Sequence, residues 1–142
     1  MGITIQYAGI VSMGRRKEKT AQTPASPRLQ LKVIVGEDAI GPGKIELLRL
    51  VEVHGGISAA ARAMDLGYRR AWDLLHTLGQ AIGSPVITTA TGGAHGGGAR
   101  LTETGQELLR RYAELEAAMA KPSRSMLTWI EEQRTLAATA QG

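Results

Sequence analysis

The sequence predicts a mainly α chain with one small β-hairpin, and three observations carry that prediction. Between residues 57 and 72 a short alanine-rich helix, a tight turn and a second helix opening on Tyr68-Arg69-Arg70 follow one another. Residues 86–101 then place a β-branched run, a glycine-rich tip and a returning strand in hairpin order. From Thr102 a last, long helical stretch carries a narrow apolar seam. Together these form the pattern of a winged helix-turn-helix with a long C-terminal helix. In such folds the second helix of the pair enters a DNA major groove N-terminal end first.

The same pattern divides the chain. Residues 1–28 read as a basic, flexible N-terminal tail, because Thr20 to Arg28 is rich in Pro, Ser and Thr without periodicity. Residues 29–105 read as the winged helix-turn-helix domain, 106–121 as a dimerisation helix, and 122–142 as a C-terminal extension that is a short helix (Met126 to Leu136) or disordered. Leu29 to Val35 alternates at its start and predicts a strand. Pro42 suits the first turn of a helix, and Ile45, Leu47, Leu48, Leu50, Val51 and Val53 follow as its apolar stripe until Gly55-Gly56. Ser58 is placed to cap a second helix over Ala59 to Leu66, and Gly67 to make the turn. The third helix runs from Tyr68 to Ile82 with Ala71, Trp72, Leu75, Leu78 and Ile82 inward; Gly83-Ser84-Pro85 stops it. Thr102 caps the last helix, with Glu103 well placed in its first turn. Lys121-Pro122-Ser123 is expected to end it.

Composition narrows the function. The 142 residues hold 17 Lys and Arg against 13 Asp and Glu, a net charge of +4. Residues 1–36 carry six of the basic residues and one acid, whereas 37–111 are balanced at eight of each. Any DNA-facing surface of the core must therefore come from sorting charges in space. There is no cysteine, which excludes disulfides and thiolate metal sites and fits a reducing cytoplasm. Met1 to Met13 lacks the charge order of a secretory signal and is too short to span a bilayer; it reads as a tail, or as the run-up to translation from Met13. His54, His76 and His95 lack partners at ligand spacing, so no metal is expected. Asp65 and Asp73 make no convincing acid–base pair, and no enzyme is predicted. Gly36 and Gly41 have phosphate-loop spacing, but Pro42 stands where the lysine is required.

The candidate DNA contacts are Tyr68, Arg69 and Arg70 at the front of the second helix. A guanidinium matches two acceptors on guanine, and a phenol reaches phosphate or a base edge. Five of the seven residues 92–98 are glycine, so that tip can lay backbone N–H groups against phosphate, with His95 and Arg100 adding charge or hydrogen bonds. Each has a plainer alternative: a solvated Arg-Arg pair, and an unliganded loop. Along the last helix Leu108, Tyr112, Leu115 and Met119 recur at steps of four, three and four, a seam for one partner helix in a dimer or for the chain's own core.

On these residues the segment from Gly41 to about Leu115 resembles the winged-helix domain of molybdate-responsive transcription regulators of the ModE type, relatives of the LysR-type DNA-binding domain. The resemblance rests on Lys44-Ile45-Glu46-Leu47-Leu48, Ile57-Ser58-Ala59-Ala60-Ala61, Tyr68-Arg69-Arg70-Ala71-Trp72, Thr91-Gly92-Gly93 with Gly96-Gly97-Gly98-Ala99, and Leu101-Thr102-Glu103-Thr104-Gly105. It implies a homodimer on an inverted repeat of double-stranded DNA. Tyr68, Arg69 and Arg70 would make the groove contacts, Ser58 a phosphate bond, and the wing from His95 to Arg100 backbone contacts. Gly67 stands where the family usually has serine. About twenty residues follow Pro122, too few for the family's oxyanion-binding domains. No cofactor is therefore assigned; molybdate is a candidate effector without a recognisable site, sensed here or by a separate oxyanion-sensing protein. The rival expectations are a small oxyanion-binding or homeostasis protein and a protein-interaction module. Arg69, Arg70 and Arg100 on different faces, or tied to Asp73 and Glu103, would weaken DNA binding.

Overall fold

The computed structural model describes residues 26–90 and 98–142 in full and the backbone of 3–6. In chain order the elements are β1 (Ile3–Gln6), β2 (Gln30–Val35), β3 (Asp38–Ile40), α1 (Pro42–His54), α2 (Ile57–Ala63), α3 (Tyr68–Ile82), β4 (Ile87–Thr89), β5 (Ala99–Leu101) and α4 (Glu103–Ala140). The chain is thus mainly helical, with two small antiparallel sheets and a long C-terminal helix.

The first sheet has the order β1-β2-β3. Ile3 lies opposite Val33 and Gln6 opposite Gln30, while Val33 lies opposite Ile40 and Val35 opposite Asp38. The two-residue connection Gly36-Glu37 has Gly36 at φ 62°, the left-handed conformation that a tight hairpin asks of its first residue. Two expectations change here. Residues 3–6, read as tail, form a strand, in keeping with the alternation Ile-Thr-Ile-Gln. β3 turns the predicted single strand into a hairpin.

The helices enclose the core. Pro42 opens α1, and Gly55 at φ 73° closes it with its N–H on the Val51 carbonyl at 2.8 Å. Ile45, Leu47, Leu48 and Val51 of α1 meet Ile57, Ala60 and Ala61 of α2 and Ala71, Leu75 and Leu78 of α3, all buried. Each large aliphatic side chain in that set contributes about 1.5–3 kcal/mol. The alanines of α2 let neighbouring helices close in. Val53, counted in the α1 stripe, is 69% exposed; five residues on from Leu48, it has rotated off the inward face.

Two predicted details differ between α1 and α3. Gly56, not Ser58, is the N-cap of α2, so Ser58 lies inside the first turn and is exposed. The left-handed residue of the turn is Asp65 at φ 57°, not Gly67; aspartate tolerates this conformation better than most side chains. Gly67 is extended, at φ −69° and ψ 152°, and forms the N-cap of α3.

β4 and β5 pair antiparallel, Ile87 opposite Leu101 and Thr89 opposite Ala99. The Ala99 N–H donates to the Gly55 carbonyl at 3.0 Å, which fastens this hairpin to the end of α1. Thr102 caps α4 as its sequence predicts: its Oγ1 accepts from the Gly105 N–H at 3.1 Å and donates to the Pro85 carbonyl at 2.6 Å. Gly105 sits so close to β4 that a Cβ there would lie 2.2 Å from the Val86 carbonyl oxygen.

α4 does not end at Pro122. It continues to Ala140 with Pro122 in its interior, although proline removes one helical hydrogen bond. Ser123, immediately after it, is buried and donates to the Ala120 carbonyl at 3.1 Å. This turn borders a hollow that it shares with Pro27, Leu29 and Leu31.

Candidate nucleic-acid interface

The first turn of α3 brings the three sequence-predicted groove residues to the surface. Tyr68 is 54% exposed, the Arg69 side chain is 85% exposed, and Arg70 is exposed. The turn behind them is held by the Leu66 N–H on the Ala61 carbonyl at 2.8 Å. Ala71, the next residue, is fully buried, so the base of the triplet is anchored while its side chains reach outward.

The two arginines diverge, as neighbours on a helix must at about 100° per residue. Arg69 lies along the flank of α3 that faces β4. Its guanidinium is 5.7 Å from the centre of the Trp72 ring and 3.3 Å from the Asp73 carboxylate. An exposed pair four residues apart contributes only about 0.3–0.5 kcal/mol, less than one bidentate base contact. The predicted weakness is therefore present: Arg69 is tied to Asp73, by a bond that a stronger acceptor can displace. Arg70, one position on, projects from a different side of the helix, and its charge adds to the lowering of the Lys44 pKa.

Trp72 is half-buried, not fully inward. Its ring stacks on His76 at 4.8 Å and 11°, and the two line a groove with Ile87 and Thr89 of β4. Alternation along the hairpin puts Ala99 inward and Arg100 outward, opposite Thr88. Arg100 is thus exposed on the outer face of the hairpin. His95 and the glycines at 92–97 lie outside the described residues.

The predicted seam of α4 is divided. Tyr112 is buried, and its hydroxyl donates to the Leu31 carbonyl at 2.6 Å. Burial raises its pKa to about 12. Leu108, Leu115 and Met119 pack in part against the same core. Tyr112 therefore belongs to the chain's own interior, where its hydroxyl satisfies a strand carbonyl. From Arg124 onward every residue of α4 except Leu127 and Ile130 is exposed, including Met126, Trp129 and Leu136. Those three continue the spacing of Met119 at steps of seven, three and seven, a regularity hidden in the sequence by the proline between them.

Sequence reasoning missed one further cluster. Lys32 on β2 lies across from Gly41, with its Cγ 3.7 Å from where a Cβ on Gly41 would stand. Lys44 is in the first turn of α1 and half-buried. Burial lowers its pKa; Asp38 opposes that shift, and Arg70 and Lys32 add to it. Ion pairs lie elsewhere: Arg49 pairs with Glu46 at 2.6 Å, Arg111 with Glu107 at 2.7 Å, and Arg110 with both Glu107 and Glu114. Paired this way, Glu107 titrates at about 2, its two arginine hydrogen bonds holding the carboxylate charged.

The chain is similar to a molybdenum-pterin-binding protein, a molybdenum transport protein and a DNA-binding transcriptional regulator. It is 41% identical over 86 residues to the molybdenum-pterin-binding protein MopA of Rhodobacter capsulatus, 61% of this chain and 32% of that one. It is 35% identical over 89 residues to the molybdenum transport protein ModE of Azotobacter vinelandii, 63% of this chain and 33% of that one. Over 71 residues it is 38% identical to the DNA-binding transcriptional dual regulator ModE of Escherichia coli K12, 50% of this chain and 27% of that one. The match spans about a third of these relatives' length. No family model matches the chain. Among the described residues no helix is long and apolar enough to cross a membrane, and no group of three or more His, Asp or Glu is placed to hold a metal.

Proposed function

We propose that this chain is a sequence-specific DNA-binding transcription regulator on a winged helix-turn-helix, working as a homodimer on an inverted repeat in the cytoplasm. The observation that carries it is the exposed Tyr68-Arg69-Arg70 triplet on the first turn of α3, seated on buried Ala71 behind the α2 turn. Inserted end-on, α3 presents Arg69 to one wall of a major groove and Arg70 to the other, with Tyr68 at the tip. The β4–β5 hairpin is the wing and carries Arg100; Ser58, exposed in the first turn of α2, reaches a phosphate. The protein acts by occupying a promoter and performs no catalysis. Its link to molybdate or a similar oxyanion follows the names of its relatives, with sensing here or in a separate protein.

The homodimer is supported by the far part of α4. A helix whose residues are nearly all exposed is marginal in water. The Met119, Met126, Trp129 and Leu136 series offers a second copy a seam with coiled-coil spacing. Dimerisation therefore rests on this part of the helix and on Met119 and Leu115, with Tyr112 held inside the chain.

The test is selection of random duplexes by the purified chain, followed by sequencing. Enrichment of an inverted repeat with half-sites about one helical turn apart is expected; an unenriched pool contradicts the proposal. A second reading is a small oxyanion-binding protein; the Mop relative is named for binding molybdenum-pterin. Titration calorimetry with molybdate, in the absence of DNA, separates the two.

A further inference from the structure

Arg69, Trp72, Asp73 and His76 form a chain of contacts along one flank of α3. The Arg69 guanidinium carbon lies over the Trp72 ring, 5.7 Å from its centre. Its Nε is 3.3 Å from Asp73 Oδ1. One turn further along, the His76 ring stacks on Trp72 at 4.8 Å and 11°. Spacings of three and four residues put all four side chains on the same side of the helix. The base of this stack is fixed: Trp72 packs against the core, between buried Ala71 and buried Leu74 and Leu75.

Stability does not account for these contacts, because the Arg69 side chain is 85% exposed and such pairs contribute little to folding. Their effect is on the freedom of the side chain. A long arginine loses rotamer freedom when it docks on a ligand, and one already held loses less. The manner of holding matters too. The nitrogen nearest the carboxylate is Nε, which leaves the two terminal amino groups of the fork for another acceptor pair. Guanine offers such a pair in O6 and N7. Asp73 itself is half-exposed, and a carboxylate on a face offered to a polyanion is unfavourable unless it serves a neighbouring cation.

We infer that Trp72 and Asp73, backed by His76, position the Arg69 guanidinium to read one guanine in each half-site. This rests on the proposal that α3 enters the groove. Arg69 is then the residue that sets base preference at that position. Trp72 and Asp73 are positioning residues: the ring carries the guanidinium from one side, and the carboxylate fixes its Nε edge. The pair with Asp73 does not have to break for the terminal amino groups to meet the base edge. Among the described residues Arg70 has neither a ring contact nor an ion pair, so contacts made by Arg70 do not depend on this support.

The experiment takes a duplex recovered by selection, replaces each base pair of the half-site in turn, and measures the affinity of the full chain for every duplex at one salt concentration. Arg69→Ala identifies the guanine position by erasing a preference of roughly 5- to 150-fold there and nowhere else. Asp73→Ala and Trp72→Leu are each expected to lower that one preference by about threefold to tenfold. Trp72→Phe, which keeps a ring face, restores most of it. In an Arg69→Ala background neither change alters base preference further. Asp73→Ala, on a half-exposed side chain, melts close to wild type, so its result stands even if Trp72→Leu unfolds. Wild-type guanine preference in both Asp73→Ala and Trp72→Leu overturns the inference and leaves the α3 assignment standing. So does a loss spread evenly over every position, the mark of a purely structural role. Arg69→Ala with wild-type preference at every position also overturns it. A wild-type chain that prefers no duplex overturns both readings.

Discussion

The Tyr112 hydroxyl donates to the Leu31 carbonyl at 2.6 Å, joining the long C-terminal helix to the central strand of the first sheet across 81 positions. This bond decides which part of α4 serves the chain itself. Below it the helix is part of the core; from Arg124 onward it is almost wholly exposed.

Tyr112→Phe leaves the Leu31 carbonyl without its donor and is expected to lower stability by about 1–2 kcal/mol at neutral pH. Burial holds the folded-state pKa at about 12, above the ordinary value of about 10. The folded chain thus keeps the proton more tightly than the unfolded one. The tyrosine's contribution is intact below pH 10 and is lost as pH rises from 10 through 12. Urea unfolding at pH 7 and pH 11 checks this: the gap between wild type and Tyr112→Phe narrows at pH 11. An equal gap at both values contradicts it.

Gly105→Ala forces a Cβ to within 2.2 Å of the Val86 carbonyl oxygen. Backbone on one side and a helix on the other leave no room to yield, and a loss of about 2–3 kcal/mol is expected. Thermal unfolding gives the value; an unchanged melting temperature is inconsistent with this packing.

Gly67→Ser should do the reverse. The position is extended, caps α3 without a side-chain bond, and has no atom within 4 Å of a new Cβ. A hydroxyl there supplies the missing acceptor, for a gain of a few tenths of a kcal/mol. A small rise in melting temperature is the expected result, and a fall is the contrary one.

Trp129→Ala together with Met126→Ala removes most of the exposed apolar surface of α4. Sedimentation velocity is expected to show the wild-type chain as a dimer and the double variant as a monomer at micromolar concentration, with helicity of α4 reduced. A wild-type monomer, or a dimer indifferent to these changes, places the interface elsewhere.

Much of the fold is legible in the sequence because the signals are local. Pro42 and Gly55 bracket α1, Thr102 caps α4, and Ala71, Leu75 and Leu78 recur at helical spacing. The features that are not legible depend on residues far apart in the chain. β1 pairs with a strand more than twenty residues away, and β3 is only three residues long. Asp65 takes the left-handed position that a nearby glycine advertises. α4 runs on through Pro122, next to the buried Ser123. At the site, Tyr68, Arg69 and Arg70 are visible as a run, but their divergence follows from helix geometry, and the approach of Lys32 and Lys44 from the hairpin register. Tyr112 fits the seam spacing as well as Leu115 does; only its hydrogen bond assigns it to the interior.

The most direct test of the central claim is the affinity of Arg69→Ala and Arg70→Ala for a selected duplex at one fixed salt concentration, against the same variants on a scrambled duplex. If α3 reads the groove, each change weakens specific binding by about 1–3 kcal/mol and affects scrambled DNA far less. Specific affinity equal to wild type in both variants contradicts the account.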